Sequence, residues 1–298
     1  MNALVGSRSQ RALIFALVAM IIGGAVALGV ALMTKTDGPR IASATALERP
    51  TPSPTPIPTP AGFPENTEIY DLASLPIVDV FSVNNALPID DDPYGATASL
   101  VAVPGVAGAA VFADPQGAPV AYLPQTQQYE GTIVPVIEKQ DHWIKVLLVG
   151  RSGLPPEANP AQTVGWMRIS DVTLSPNDPH IEVSLSQRTI DIVSAGNRER
   201  VASDFASGAD GTPTPLGRSF IMTTRTSDDS YTRGFPLVYL SAQSPTLADF
   251  GGSAAAVTAF HYHDDRSGAI SNGCLRVDSD VIERLAQLTP GTTVYISE

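Results

Sequence analysis

Apolar and polar positions divide the chain into three regions of different character. The first is residues 12–33, an uninterrupted apolar run without a charge or a proline. As a helix this run would be about 33 Å long, which suits a bilayer core of roughly 30 Å. The pattern predicts a membrane-anchor helix at 12–33 that follows a cytoplasmic N-terminus at 1–11. A cleaved signal peptide is the alternative, although the small-residue triplet at 42–44 lies well beyond the run.

A proline-rich linker follows the apolar run. From residue 49 to residue 64 the sequence reads RPTPSPTPIPTPAGFP, with proline at every second position between 50 and 60. Such a segment is extended and stiff and cannot bury a core. Basic residues flank the apolar run on both sides and do not decide its orientation. We therefore infer the orientation of the apolar run from the linker, 34–66, which is typical of an extracytoplasmic stalk. We expect a single-pass protein of the cell membrane whose remaining domains are extracytoplasmic.

Beyond the linker, short alternating segments bounded by Pro, Gly and Asp turns predict a mainly β structure. Between residues 99 and 169 these segments are SLVAV, AAVFA, PVAYL, TIVPVIEK, HWIKVLLV and VGWMRI. The strands that carry Trp143 and Trp166 resemble those of bacterial SH3-like domains. We predict an SH3-like β-barrel domain at 67–177, in which residues 65–95 are unassigned. Two interpretations stay open for it: a wall-binding module, or a spacer whose tryptophans are core aromatics.

The C-terminal region, 178–298, combines strands with a single short helix. A helical pattern begins near Asp280, which we expect to cap it with Glu283 three residues on, and it stops before Pro290. A final strand, TTVYI, follows. The segments that predict the other strands are 180–193, read as a hairpin around a Ser-Gln-Arg turn, 211–222, which begins with a Thr-Pro-Thr-Pro loop, and 254–264.

Charge and cysteine content exclude some classes of function. The part of the chain beyond residue 11 carries 16 basic and 30 acidic residues, so nucleic acid is not an expected partner. Cys274, in the stretch ISNGCLRV, is the only cysteine, which rules out a disulfide within the chain. A free thiol is mostly protonated at pH 7, so a nucleophilic Cys274 needs a nearby base. A small buried hydrophobe is the alternative role for a lone cysteine.

Two histidines just upstream are the candidates for that base. In a strand His261 and His263 point to one face and Tyr262 to the other, so an imidazole can be aimed at the thiol. Gly273, directly before the cysteine, permits a sharp turn that would direct the amides of Gly273 and Cys274 towards a developing oxyanion. This arrangement suits acyl transfer.

The stretch ISNGCLRV is similar to the Ser/Thr-His-Gly-Cys signature of L,D-transpeptidases. The hairpin, the Thr-Pro-Thr-Pro loop, the histidine at a strand end and the cysteine motif also follow the order of that family. The resemblance implies a YkuD-type, β-sandwich-like catalytic domain at 178–298. In it Cys274 is the nucleophile, His261 takes the thiol proton, and the backbone carbonyl of Tyr262 orients the imidazole.

The same resemblance assigns supporting residues and shows one departure from the family. Ser271 and Gly273 match the signature, and Arg276 matches a polar position that either holds the loop or meets a substrate carboxylate. Asn272 stands where the family usually has histidine, so a second titratable ring is missing there. The spacing to the cysteine favours His261 over His263 as the base. His263 is then either a partial replacement for the missing imidazole or a loop histidine.

The resemblance implies a peptidoglycan L,D-transpeptidase that forms 3→3 cross-links through a cysteine thioester. Its partners would be peptidoglycan stem peptides, carbapenems would acylate it, and no cofactor is implied. The alternatives are an L,D-carboxypeptidase and a non-catalytic, membrane-anchored scaffold that binds the cell wall. A zinc site is a chemical rival, because His261 and His263 begin a metallo-β-lactamase-like pattern. Arg266 stands where that pattern requires another histidine, so we expect no metal.

Overall fold

The computed structural model describes residues 62–158 and 160–298. The predicted membrane anchor at 12–33, the N-terminus at 1–11 and most of the linker at 34–66 lie outside these residues. No helix within the described ranges is long and apolar enough to cross a membrane. The described part is mainly β with one short α-helix, which confirms the predicted fold class at that level.

The first sheet has seven antiparallel strands in the order β3-β2-β6-β5-β4-β1-β7. Each strand segment predicted between residues 99 and 169 forms one of them. Whether residues 67–177 are SH3-like stays a prediction. The strands are β1 (Leu100–Pro104), β2 (Ala109–Phe112), β3 (Pro119–Leu123), β4 (Val134–Lys139), β5 (Trp143–Leu148), β6 (Thr163–Arg168) and β7 (Val172–Pro176), with 3-10 turns at Leu72–Ser74 and Ile169–Asp171.

The second sheet has ten strands in the order β10-β9-β8-β17-β12-β13-β14-β16-β11-β15. Three neighbouring pairs are parallel, namely β8/β17, β14/β16 and β11/β15. The strands are β8 (His180–Ser184), β9 (Thr189–Ser194), β10 (Asn197–Ala202), β11 (Ala206–Gly208), β12 (Gly217–Thr226), β13 (Pro236–Gln243), β14 (Val257–Tyr262), β15 (Gly268–Ser271), β16 (Leu275–Val277) and β17 (Thr293–Ser297). A 3-10 turn at Ser230–Thr232 lies between β12 and β13.

The helix α1, Ser279–Leu285, begins two residues earlier than the sequence predicts. Its N-cap is Asp278, whose side chain accepts a hydrogen bond from the Ser279 amide at 2.7 Å. The predicted cap, Asp280, instead lies inside the first turn, where its negative charge interacts favourably with the positive end of the helix dipole. Both aspartates suit a helix start, and the extended backbone of Asp278 decides between them.

The two tryptophans belong to a small aromatic core on the first sheet. Trp143 is completely buried, and its indole nitrogen donates a hydrogen bond to the Pro64 carbonyl at 2.8 Å. Phe63 packs edge-on against Trp166 with ring centroids 5.6 Å apart. The last residues of the predicted linker, 34–66, therefore cover these rings, and the expectation that the whole linker stays outside a core is wrong at Phe63 and Pro64. This packing favours the interpretation of Trp143 and Trp166 as core aromatics.

A buried ion pair joins the segment that precedes β1 of the first sheet to the second sheet. Arg218 of β12 donates to both carboxylate oxygens of Asp90, at 2.7 and 2.8 Å, and the two side chains are only 4% and 2% exposed. The same guanidinium donates to the Gly95 carbonyl at 2.8 Å. The described residues form one compact unit. Asp90 lies in the segment 65–95, which the sequence analysis left unassigned.

We expect the Arg218→Met substitution to lower the free energy of unfolding by about 3–5 kcal/mol, because it leaves the Asp90 carboxylate buried and unpaired. Urea denaturation measures this. Restoring neutrality with Asp90→Leu in the same chain should recover most of the loss. The matched control is Arg284→Met, which breaks the exposed pair with Glu199 and should cost about 0–1 kcal/mol. Equal losses in the two arginine variants would contradict the structural role of the buried pair.

Candidate active site

The candidate site lies on one face of the parallel pair β14 and β16. Phe260 is opposite Leu275 in this pair, and both are fully buried in the core of the second sheet. His261 is opposite Arg276. Because side chains alternate along a strand, His261, Arg276 and Cys274 share the other face, which we call the site face. The site face holds Cys274, Arg276, Ala259, His261, Leu237 and Tyr239, from strands β16, β14 and β13 and the residue before β16.

The His261 ring is held in one tautomer. Its Nδ1 lies 2.8 Å from the backbone carbonyl oxygen of Tyr262. A carbonyl can only accept, so Nδ1 carries the proton and Nε2 keeps a lone pair that can receive one. The ring is 94% shielded, with 6% exposure, and burial lowers the pKa of His261 below its ordinary 6.5. The Tyr262 hydrogen bond opposes this shift, and the nearby charges of Arg276 and His263 reinforce it.

The Cys274 thiol lies in a desolvated setting even though the residue as a whole is only partly buried. Burial raises the pKa of Cys274 above its ordinary value of 9.0. The Ala259 amide and the charge of Arg276 oppose this shift. With the His261 pKa lowered and the Cys274 pKa raised, both groups are neutral at pH 7. A transfer of the thiol proton to the imidazole would therefore accompany a reaction rather than precede it.

Internal hydrogen bonds fix the loop that carries the cysteine. Ser271 Oγ donates to the Cys274 carbonyl at 2.6 Å and accepts from the Gly273 amide at 3.1 Å. Gly273 has a φ of 109°, in the left-handed region that favours glycine. The sequence analysis expected the Gly273 amide to face an oxyanion. That expectation is wrong, because Ser271 already uses this donor.

Two threonines of the Thr-Pro-Thr-Pro loop form hydrogen bonds with the loop that carries the cysteine. Thr214 Oγ1 donates to the Gly273 carbonyl at 3.0 Å and accepts from the Gly208 amide at 2.9 Å. Thr212 Oγ1 donates to the Ser271 carbonyl at 2.9 Å. The sequence analysis recognised this loop as a family feature but gave the two threonines no role. The sequence signal for such a role was that the two threonines lie two residues apart in a loop stiffened by proline.

Tyr231 covers the two histidines. It lies in the Ser230–Thr232 turn, and its ring centroid is 5.3 Å from that of His261 and 6.0 Å from that of His263. Burial raises the pKa of Tyr231 to about 12, and the charges of Asp229, Tyr239 and Cys274 add to this. The sequence analysis did not identify Tyr231, because only the tertiary fold brings this turn onto β14.

The remaining predicted site residues lie around this centre. Asn272 is exposed, and His263 Nδ1 accepts a hydrogen bond from the Asp265 amide at 2.9 Å. Arg276 donates from Nη1 to the Asp265 carbonyl at 3.4 Å, and its buried Nε has no hydrogen-bond partner in the part of the chain that the structure describes. Within the same part, no group of three or more His, Cys, Asp or Glu side chains could hold a metal ion.

Residues 178–296 match the sequence model of YkuD, the L,D-transpeptidase catalytic domain. The match confirms the resemblance recognised for this region. It does not cover residues 67–177, for which the SH3-like fold stays a prediction. No curated protein sequence matches the chain.

Solved structures with likeness to the chain include three L,D-transpeptidases. A cysteine-to-serine mutant of the Enterococcus faecium enzyme is 19% identical over 41% of this chain, with a TM-score of 0.29, and the match spans 50% of that protein. An enzyme from Mycobacterium tuberculosis H37Rv is 15% identical over 69% of this chain and 100% of its own, with a TM-score of 0.32. L,D-transpeptidase 3 from Mycobacterium tuberculosis, in complex with a faropenem-derived adduct, is 14% identical over 68% and 98%, with a TM-score of 0.33.

The pKa directions predict how Cys274 reacts with iodoacetamide. Alkylation needs the thiolate, and the raised pKa of Cys274 keeps the thiolate scarce near neutral pH. We expect the alkylation rate to climb steadily towards a midpoint above pH 9.0, without a plateau between about pH 5 and 8. Mass spectrometry of the alkylated protein over time measures the rate. A neutral-pH plateau would instead demonstrate a preformed thiolate and imidazolium pair.

The Gly273→Ala substitution should lower the free energy of unfolding by roughly 1–3 kcal/mol, because alanine rarely adopts a φ of 109°. The added Cβ would lie 3.5 Å from the Pro213 carbonyl, an ordinary contact, so the cost comes from the backbone. Chemical denaturation checks the effect. Gly211→Ala is the matched control, since nothing lies within 4 Å of its added Cβ. An unchanged stability of the Gly273 variant would refute this account of the loop.

Proposed function

We propose that residues 178–298 catalyse L,D-transpeptidation of peptidoglycan, with Cys274 as nucleophile and His261 as general base. The match of residues 178–296 to the L,D-transpeptidase catalytic domain supports the reaction class. One observation carries the assignment of residues. The hydrogen bond from His261 Nδ1 to the Tyr262 carbonyl leaves Nε2 as an acceptor on the site face, where the thiol also lies. Whole-chain activity, substrates and location are part of the same proposal.

The first half of the reaction acylates the sulfur. As Cys274 Sγ attacks the carbonyl that follows the third residue of a tetrapeptide stem, His261 Nε2 takes the thiol proton. The carbonyl oxygen becomes an oxyanion, and the Cys274 backbone amide is the candidate donor that remains after Gly273 is excluded. When the carbon–nitrogen bond breaks, the imidazolium returns the proton to the departing amine of the terminal D-amino acid. The product is a thioester on Cys274.

The second half transfers the acyl group. The side-chain amine of an acceptor stem attacks the thioester and loses its proton to His261. The carbon–sulfur bond then breaks, and the thiolate recovers the proton, which leaves a 3→3 cross-link. Water in place of the amine would give an L,D-carboxypeptidase, and analysis of the products separates the two reactions. No metal or cofactor enters this scheme.

The neutral state of the pair explains how the domain works with asparagine at position 272. A second imidazole would tune a preformed thiolate, whereas proton transfer during attack requires only one neutral acceptor. His263 lies 6.1 Å from His261 between ring centroids, and its charge is one of the contributions that lower the His261 pKa. The position of Cys274 and His261 on one face of the parallel strand pair supports the enzyme over the non-catalytic scaffold.

We further propose that the domain works outside the cytoplasm, tethered by the predicted anchor at 12–33 and the linker at 34–66. The first sheet would act as a spacer that holds the catalytic domain above the membrane. The buried Arg218–Asp90 pair supports a rigid rather than a flexible spacer. An SH3-like origin for this spacer is part of the proposal, and binding of the cell wall through its tryptophans is not, because both are core residues.

The assignment predicts distinct losses in three variants. Cys274→Ala should abolish covalent acylation, His261→Ala should slow it about 10²–10⁴-fold, and His263→Ala should slow it less than about 10-fold. Intact mass spectrometry with a purified tetrapeptide muropeptide follows the thioester. Faropenem serves as a second acylating probe, since an adduct derived from it occurs in the Mycobacterium tuberculosis relative.

The control is His180→Ala, a histidine of β8 that forms a partly exposed contact with Glu182. It should acylate like the wild type. Thioester formation in the Cys274 variant, or equal rates in the His261 and His263 variants, would disprove the assignment. A fold check by circular dichroism accompanies each variant.

A further inference from the structure

One arginine on the site face has no acidic partner. Residues 178–298 contain nine arginines, no lysine and 15 acidic residues. Eight of these arginines form salt bridges with Asp or Glu, at nitrogen–oxygen distances of at most 3.9 Å. Arg276 forms no salt bridge with any residue that the structure describes. Because acidic residues outnumber arginines in this region, a shortage of partners does not explain the exception.

The Arg276 guanidinium is also poorly paired by hydrogen bonds. Its Nη1 donates to the Asp265 carbonyl at 3.4 Å, which is long for a bond of this type. Its Nε is buried without a partner, and its Nη2 donates no hydrogen bond within the part of the chain that the structure describes. The residue as a whole is only partly buried. A group with five N–H donors and one long hydrogen bond is available to bind an acceptor.

The strand register places this free guanidinium beside the groups of the candidate pair. Arg276 is directly opposite His261 in the parallel pair β14 and β16. Cys274 lies two residues earlier in the chain, about 6.6 Å away between Cα atoms, and its side chain points to the same face. The charge of Arg276 contributes to the pKa of both His261 and Cys274. An unpaired positive charge therefore lies next to the thiol and the imidazole.

A carboxylate is the ligand group that fits this guanidinium best. The planar fork of an arginine binds two carboxylate oxygens at once, and charge-assisted hydrogen bonds are about twice as strong as neutral ones. Because Arg276 Nε is shielded, such a carboxylate would be bound end-on by Nη1 and Nη2. Arg218 shows the paired alternative in this chain, since it donates to both oxygens of Asp90.

The proposed substrate carries a carboxylate at a fixed distance from the reacting carbonyl. One residue follows the scissile bond of a tetrapeptide stem, so the terminal carboxylate carbon lies at most about 3.6 Å from the scissile carbonyl carbon. That distance is shorter than the separation of Cys274 and Arg276 along their strand, and the arginine side chain can cover the remainder. In a pentapeptide stem the carboxylate lies one residue farther away, and a neutral peptide group takes its place.

We infer that Arg276 binds the terminal carboxylate of the donor stem and thereby selects stems with a single residue after the scissile bond. This inference rests on the proposed function, because the substrate supplies the carboxylate. It decides between the two roles that the sequence left open for Arg276, in favour of substrate binding. A chain end held beside His261 also keeps the departing amine within reach of the imidazole that returns its proton.

Binding to the full chain carrying Cys274→Ala tests this site without any chemistry. The two ligands are a tetrapeptide muropeptide and the same compound with a C-terminal carboxamide. Calorimetric titration should give a Kd for the carboxylate form at least about 10-fold below that for the amide. Adding Arg276→Gln should bring this ratio close to one by weakening only the carboxylate form. Arg233→Gln is the matched control, because it removes an exposed arginine that pairs with Asp264, and it should keep the full ratio.

Two further measurements sharpen the test. Arg276→Lys is the second variant, in case Arg276→Gln does not fold. It keeps the charge and loses the planar fork, so the ratio of the two Kd values should fall at least about 2-fold. A pentapeptide muropeptide should bind the Cys274→Ala chain as weakly as the amide does.

Four results would overturn the inference: equal affinity for the carboxylate and the amide, binding of neither, a ratio that Arg276→Gln leaves unchanged, or equal weakening of both ligands by Arg276→Gln. The last result would assign Arg276 to the loop or to another carboxylate of the stem. A failure of the proposed function shows up elsewhere, as the absence of a thioester on the wild-type chain. Carboxylate-dependent binding by the Cys274→Ala chain would still support the Arg276 site in that case.

Discussion

The parallel pairing of β14 with β16 is the constraint on which the candidate site depends. Parallel neighbours need a connection of a dozen residues or more, and only 263–274 lie between these two strands. The connection travels out to β15 at the sheet edge and returns through the cysteine loop. Its return places Cys274 directly before β16, on the face that His261 occupies.

Burial gives this pair its chemical character. Burial lowers the His261 pKa and raises the Cys274 pKa, so the imidazole and the thiol are both uncharged at neutral pH. A thiolate in this desolvated setting would be costly to hold without a paired positive charge. The Tyr231 ring, whose centroid is 5.3 Å from that of His261, contributes to the burial of the imidazole.

Local patterns predicted the strands and the short helix, because alternation is visible along the chain, and the rare cysteine indicated where a candidate site could lie. The contacts that complete the site join residues far apart in sequence. Tyr231 reaches His261 across the hairpin between β12 and β13, and Thr214 reaches Gly273 across 59 residues. The prediction of Asp280 as helix cap is wrong, because the cap position depends on backbone angles that composition does not encode. Tertiary contacts of this kind leave no periodic signal.

Strand β12 connects the part of the chain that forms the first sheet to the second sheet. Near the start of this strand, Arg218 forms a salt bridge with Asp90. Near its end, Arg225 donates a hydrogen bond to the Gln128 carbonyl in the loop 125–131. Ten residues of one strand thus fix the first sheet to the second at two points about 23 Å apart. Two separated attachments prevent rotation, which a single one would permit. The position of the first sheet relative to the strands that carry Cys274 and His261 is therefore a property of the fold.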